Sequence, residues 1–403
     1  MTNWQQVKLC DALIINPIEK LSKGTIAKKV SMERLRPFCR DVLEYEFDKF
    51  SGGSKFRNKD TIMARITPCL ENGKRAQINM LEQDEIGFGS TEFIIFREKE
   101  NISNSNFIYY LICSDLIREP AIKSMVGSSG RQRVQIDVLK ELIIPLPPLD
   151  IQKKIARVLG ALDDKIELNN KINANLEQQA QALFKSWFVD FEPFGGKMPD
   201  DWKVGNLLDI ADYLNGLAMQ KFRPAENDKG LPVLKIKELR QGFCDSNSEL
   251  CSLNVKNEYI VNDGDVIFSW SGSLLVDFWC GGKCGLNQHL FKVTSKNFDK
   301  WFYYLWTKYY LEHFAFIAAD KATTMGHIKR EELEKAKVII PSSECYQKMK
   351  QIMTPIYDLL ISNRVENTRL ATLRDTLLPK LMSGEIDVSK VDINKLNAAD
   401  MLL

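Results

Sequence analysis

Four cysteines, Cys244, Cys251, Cys280 and Cys284, offer the first chemistry this chain could carry, thiolate ligation of zinc. A closed zinc site usually draws on two short C-x2–4-C pairs. Cys244 and Cys251 have six residues between them, and only "CGGKC" is close to that form, so buried or idle thiols are the better reading. "DDK" at 163–165 carries the letters of a metal nuclease, but it lies in a long heptad run where charged residues normally face solvent. A methyltransferase acting on a base amino group would want Asn/Asp/Ser-Pro-Pro-aromatic. The only Pro-Pro here, "LPPL", has Leu146 before it and no aromatic after it. Neither G-x-G-x-x-G nor a Walker loop is present, and none of the three histidines pairs with a Ser or Cys nucleophile. The expectation is a chain with no catalytic site, no metal and no cofactor of its own.

What remains is a chemistry of contact. The segment 54–75, "SKFRNKDTIMARITPCLENGKR", holds Lys55, Arg57, Lys59, Arg65, Lys74 and Arg75. The loop "GSSGRQRVQ" holds Ser128, Ser129, Arg131, Gln132 and Arg133. Arginine can address guanine and glutamine adenine in a major groove, while serine and backbone amides hold phosphate. Further along, "DKATTMGHIKR" brings Lys321, Thr323, Thr324, His327 and Lys329, with Lys221, Arg223, Lys235 and Lys237 as a second cluster. These are candidate DNA contacts, weighed against the plainer reading that charged loops are simply solvated. The formal net charge is only +2, so binding to DNA has to come from such local patches.

The elements that position these loops occur twice, with a shift of about 195 residues. "WQQVKLCDAL" is echoed by "WKVGNLLDIADYL", "NKDTIMARITP" by "NDGDVIFSWSG" and "TEFIIF" by "NQHLFKV". "NFIYYLICSDL" is echoed by "KWFYYLWTKYYL", and "IDVLKELIIPLPP" by "IKREELEKAKVIIPS", all in the same order. The Gly/Ser loop and "DKATTMGHIKR" occupy matching places. Within each half, short β-like runs alternate with helical ones.

A long heptad run follows each half. The first has seam positions Ile155, Leu159, Leu162, Ile166, Asn169, Asn173, Leu176, Ala180, Leu183 and Trp187. The second has Met349, Ile352, Ile356, Leu359, Asn363, Glu366, Leu370, Leu373 and Leu377, with Pro355 expected to kink or start it. Polar residues occupy the middle of each seam. Such residues cost stability and select the pairing in which they meet, and two helices with polar centres align well when antiparallel. The pairing set is therefore Leu162, Ile166, Asn169, Asn173 and Leu176 against Leu359, Asn363, Glu366, Leu370 and Leu373. A helix of about 35 residues spans roughly 50 Å, comparable with the separation of about 34 Å between DNA half-sites one turn apart. The alternative is that the asparagines face solvent and each helix packs on its own half.

Hydrophobic residues make up 44% and charged residues 27% of the chain, an ordinary globular composition. No run reaches the length of a membrane span, "MTNWQQVKLC" has no apolar signal core, and nine scattered cysteines fit a reducing compartment. A cytoplasmic protein with no membrane partner is expected.

"IIPLPPLDIQKKIARVLGALDDKIELNNKINANLEQQAQALFKSWFVDFEPF" and "TLLPKLMSGEI" resemble the central and C-terminal conserved regions of type I restriction–modification specificity subunits. The second block departs from the pattern at "IIPSSECYQ", where Pro-Pro is lost. The resemblance implies an α+β chain with two similar mixed α/β target-recognition domains, separated by two long antiparallel coiled-coil helices with pseudo-two-fold symmetry. It implies binding of double-stranded DNA at a bipartite asymmetric site. It also implies two methyltransferase subunits that bring S-adenosylmethionine chemistry, and restriction subunits in the full complex. The expected boundaries are 1–148 for the first recognition domain, 149–190 for the first spacer helix, and 191–342 for linker and second domain. The second spacer helix takes 343–384 and a tail 385–403. The competing expectation is a coiled-coil scaffold whose two domains bind proteins and not DNA.

Overall fold

The structure, a computed structural model, describes residues 4–226, 229–320 and 328–389. Two compact units emerge: Met1–Lys165 with Leu370–Leu403, and Ile166–Arg369. Each contains one mixed α+β head and parts of both long helices, α1 (Leu149–Phe188) and α2 (Ser343–Met382).

In the first head a four-stranded antiparallel sheet is built from β1 (Leu13–Ile15), β2 (Thr61–Ala64), β3 (Arg75–Gln77) and β4 (Phe93–Glu98), in the order β1-β4-β2-β3. The run Thr61–Ala64 is buried throughout and Phe93–Phe96 likewise, which is why these continuous apolar segments take the centre of the sheet. The second head repeats the plan with β5 (Asp212–Asn215), β6 (Val266–Ser269), β7 (Leu275–Phe278) and β8 (Leu290–Thr294), in the order β5-β8-β6-β7.

Each head adds a second four-stranded sheet with one parallel pair, Ile26–Val30 beside Gly87–Gly89 in one and Leu231–Leu234 beside Cys284–Leu286 in the other. Each also adds a two-stranded ribbon, Gln5–Lys8 with Ile143–Leu146 and Lys203–Asn206 with Lys337–Ile340. The strand orders and pair directions match element for element. The internal echo is therefore a duplication of fold.

Pro147 and Pro148 stand directly before α1, a usual way to open a helix. Gln152 fixes that opening. Its buried amide donates to the carbonyls of Ile102 and Pro147, both at 2.9 Å, and accepts from the Asn104 N–H at 3.0 Å. The first-head core takes in Ile155 and Leu159 from α1 and Leu381 and Met382 from α2, around Phe96, Phe107 and Tyr110. The second-head core takes in Ala180, Phe184, Trp187 and Phe188 from α1 and Tyr346, Met349, Met353 and Tyr357 from α2.

The segment after α1, expected as a linker, is packed: Trp202 meets Phe188, Phe191 and Phe194 at ring separations of 5.7, 6.3 and 4.9 Å. Pro355 does not start α2, which begins at Ser343 and continues to Met382. Gly384, with φ 72°, follows its end in the left-handed conformation that glycine adopts without strain.

Within the second unit the two helices are joined by amides. Asn169 Nδ2 donates to Glu366 Oε2 (2.7 Å) and Asn367 Oδ1 (2.9 Å), and Asn363 Nδ2 donates to Asn173 Oδ1 (2.9 Å). Asn173 Nδ2 donates to the Leu360 carbonyl (3.2 Å), and Asn367 Nδ2 to Asn170 Oδ1 (2.9 Å). Partner numbers fall on α2 as they rise on α1, so the strands of this ladder run antiparallel.

Within the first unit Asp163 of α1 accepts from Arg374 Nη1 of α2 and from the Tyr110 hydroxyl of the head, each at 2.7 Å. Asp163 was expected to face solvent, yet it is buried; only Asp164 of "DDK" is exposed, and it pairs with Arg40 at 2.7 Å. Burial works against the Arg374 cation, but the Asp163 carboxylate more than offsets it and holds the guanidinium above its ordinary pKa.

The seam of α2 also differs from the heptad reading. Leu359 and Ile352 are exposed, at 46% and 48%, whereas Met353, Tyr357 and Leu360 are buried. The cause is the second head. Tyr357 packs on Phe278 and Tyr304 with ring separations of 5.4 and 5.6 Å, which turns that face of α2 inward. Leu162 and Leu370 are fully buried, and Ile166, Leu176 and Leu373 are partly so.

Candidate nucleic-acid interface

Strand register gathers loops at one end of each four-stranded sheet. In the first head Ile15 pairs with Phe96 and Ala64 with Phe93. The ends of β1 and β2 and the start of β4 therefore share an edge, from which Arg65 and Glu92 project. The loop 126–134 closes over this edge. Val126 and Arg133 exchange backbone hydrogen bonds at 3.0 and 2.9 Å, Thr67 N–H donates to the Gln132 carbonyl at 3.1 Å, and Val134 N–H donates to the Arg65 carbonyl at 2.9 Å. Gly127 makes the tight return possible. Its φ is 135°, and a Cβ there would lie 2.9 Å from the Arg131 carbonyl oxygen. Ser128, Ser129 and Arg131 stand exposed at the tip, and Gln132 is half-buried.

The arginines of this loop differ in freedom. Arg133 clasps Glu92 through Nε and Nη2 at 2.7–3.0 Å, with Arg65 Nε at 3.7 Å from the same carboxylate. The Arg133 hydrogen bonds are the main reason the Glu92 carboxyl sits below its ordinary pKa. Arg131 makes no ion pair among the described residues, which leaves its charge for a ligand.

The other basic residues of 54–75 do not join this rim. Arg57 binds the buried Glu19 carboxylate at 2.7 Å, and Lys55 donates to the Glu19 carbonyl at 2.8 Å. Burial pushes the Glu19 pKa up, but Arg97 and Arg57 together overcome that and leave it lowered. Lys59 precedes the opposite end of β2. Lys74 donates to the Met32 carbonyl at 2.7 Å. Arg75 departs most from a free surface cation. Its Nε is 2.8 Å from the Cys113 sulfur and its cation lies 5.5 Å from the Phe38 ring centre, so its charge is engaged within the head.

In the second head Asn215 pairs with Phe291 and Ser269 with Leu290, which again brings three strand ends together. Ile328 N–H donates to the Trp270 carbonyl at 3.1 Å, the counterpart of Val134 on Arg65. Lys221 and Arg223 are exposed on the loop that leaves β5 at this edge, and neither makes an ion pair among the described residues. Lys235 and Lys237 are held by Glu249 (2.6 Å) and Asp245 (3.0 Å). Lys329 is exposed ahead of the helix Arg330–Lys335. Lys321, Thr323, Thr324 and His327 lie outside the described residues.

Neutral side chains, which positive charge does not mark, also gather at this edge. Trp270 Nε1 donates to Asn215 Oδ1 at 3.0 Å, the Trp270 and His289 rings are 6.2 Å apart, and Gln288 Nε2 is 3.3 Å from His289 Nε2. The signal was available: the aligned echoes put Trp270 near Arg65 and His289 opposite Glu92.

Cys251, Cys280 and Cys284 are buried, and burial raises all three thiols, Cys280 to about 11. Among the described residues no group of three or more His, Cys, Asp or Glu is placed to hold a metal ion. No described helix is long and apolar enough to cross a membrane.

Duplicated α+β heads, each packed against segments of both long helices, set the fold class of this chain. The model of the type I restriction modification DNA specificity domain matches residues 4–178 and 199–372, once per repeat, and the chain belongs to this family. It is 31% identical over 307 residues to the type I restriction enzyme MjaIX specificity subunit of Methanocaldococcus jannaschii, covering 71% of this chain and 70% of that protein. It is 24% identical over 375 residues to the HindI specificity subunit of Haemophilus influenzae, covering 74% and 81%. The fold is similar to that of the type I restriction–modification S subunit from M. genitalium, with a TM-score of 0.52 at 16% identity over 94% of this chain and 96% of that one.

Proposed function

We propose that this chain reads DNA for a type I restriction–modification complex without catalysing a reaction itself, each head addressing one half of a split, asymmetric site. The observation that carries the reading is the repeated rim: one strand edge per head, at the same register points and with different side chains. Different rims imply different half-sites.

Arg131, Ser128 and Ser129 in the first head, and Lys221 and Arg223 in the second, supply exposed phosphate- and base-seeking groups. The helices set the spacing of the half-sites and dock two methyltransferase subunits. Exposed apolar residues on them, Leu168, Ile352 and Leu359, suit such docking. The methyltransferases bring S-adenosylmethionine, restriction subunits complete the complex, and the assembly works in the cytoplasm. Mobility shifts with the co-expressed methyltransferase test this. Retardation that depends on duplex sequence is expected, and retardation equal for all sequences, or none, would favour a protein scaffold.

A further inference from the structure

We infer that the second head reads an A·T base pair through neutral side chains, with Gln288 as the contact residue and Asn215, Trp270 and His289 as the frame that holds it. The inference rests on the reading of this chain as a DNA-specificity subunit. Its starting point is a contrast between equivalent positions. In the first head Arg65 follows β2 and Glu92 precedes β4, and both carry charge that is engaged with Arg133 or its partner. In the second head Trp270 follows β6 and His289 precedes β8, at the same register points. A guanidinium–carboxylate edge has been replaced by indole, imidazole and amides.

The four side chains form a continuous series of contacts. The Trp270 indole N–H donates to Asn215 Oδ1 (3.0 Å), which engages the amide oxygen of an exposed residue. Trp270 is also braced by Phe291, with ring centres 5.6 Å apart. His289 N–H donates to Asn287 Oδ1 (3.2 Å), which sets the turn. Gln288 Nε2 lies 3.3 Å from His289 Nε2, a contact that ties the amide to the ring. Gln288 is half-buried, and one amide hydrogen is used in this bond. Its carbonyl oxygen and second N–H remain as an acceptor–donor pair that a base edge can meet. That is the pattern that matches adenine N6 and N7, and Asn215 offers a second amide beside it. Guanine O6 and N7 are both acceptors and would meet the wrong group. The exposed cations nearby in sequence, Lys221 and Arg223, are suited to phosphate and add no base preference.

The test is selection of bound duplexes from a random-sequence pool by the complex assembled with its methyltransferase, followed by sequencing. The native complex is expected to yield a split motif. Gln288→Ala should relax one A·T position in one half by about 5- to 150-fold and leave the other half unchanged. Gln288→Glu turns the donor into an acceptor, so that position should shift towards C·G, whose cytosine amino group donates. The second substitution keeps the side-chain volume, so a new preference cannot come from misfolding. A native motif left unmoved by both variants, or relaxed at a G·C position, overturns this inference alone. No sequence preference in the native complex overturns the specificity reading and the inference with it.

Discussion

Removing one amide of the Asn173–Asn363 pair is predicted to cost more than removing both. Each residue is 7% exposed, Asn363 Nδ2 donates to Asn173 Oδ1 over 2.9 Å, and Asn173 Nδ2 donates to the Leu360 carbonyl over 3.2 Å. Leucine branches at Cγ as asparagine does and is the larger of the two, so Asn173→Leu opens no cavity. What it does is leave the Asn363 amide against methyl groups. A buried polar group stripped of its partner costs about 1–3 kcal/mol, and Asn363→Leu should cost about the same for the mirror reason. With both replaced, neither amide is left unpaired in the seam, and apolar replacement of a buried polar pair is near neutral or stabilising. The double variant should therefore fall within about 1 kcal/mol of the native protein, and the cycle should show a coupling of about 2 kcal/mol. Urea unfolding of the purified subunit gives the four stabilities, and hydrogen exchange along 166–180 and 356–369 localises the change. Single losses that simply add in the double variant would refute the argument, because they would mean that the two amides do not depend on each other.

Asp163→Ala should cost about 3–5 kcal/mol in urea unfolding, since it strands a buried Arg374 guanidinium and the Tyr110 hydroxyl; a loss under about 1 kcal/mol would mean that the Asp375 contact suffices for Arg374. Arg131→Ala should weaken DNA binding across sequences and reduce the salt slope by about 1, whereas Arg133→Ala should do so less, because Glu92 already neutralises it; the reverse order in a salt titration would contradict the assignment. Arg133 holds the Glu92 carboxyl below its ordinary pKa, so the clasp stabilises the loop above that ordinary value and fades as the pH falls through the lowered, folded-state value. Exchange protection of the Val126 and Arg133 amides should drop in that window relative to the β4 amides, and Glu92→Gln should remove the pH dependence; protection that stays flat in the native protein would refute it.

The duplication and both long helices were legible because heptad spacing and ordered echoes survive in a linear string. Phasing of α2 was not. Its buried face follows Met353, Tyr357 and Leu360, which answer to aromatic residues of the second head far away in sequence, and Ile352 and Leu359 fit a heptad equally well on paper. The same limit applied to the site. Composition marks Arg75 and Arg131 alike as cations, and only packing shows that one is committed to Cys113 while the other stands at a loop tip. Positive charge marks the Gly/Ser loop in the sequence, whereas Asn215, Trp270, Gln288 and His289 come together only through strand register. The heptad pattern points Asp163 to solvent, where charged heptad residues usually lie, and its burial reflects two partners that no local pattern announces.

Methylation mapping of whole genomes, with and without this chain but with its methyltransferase present in both, tests the central claim most directly. Two dissimilar heads should produce, only when the chain is present, a motif of two unlike blocks separated by a fixed stretch of unspecified bases. A single uninterrupted motif, or the same methylation in both strains, would contradict the account.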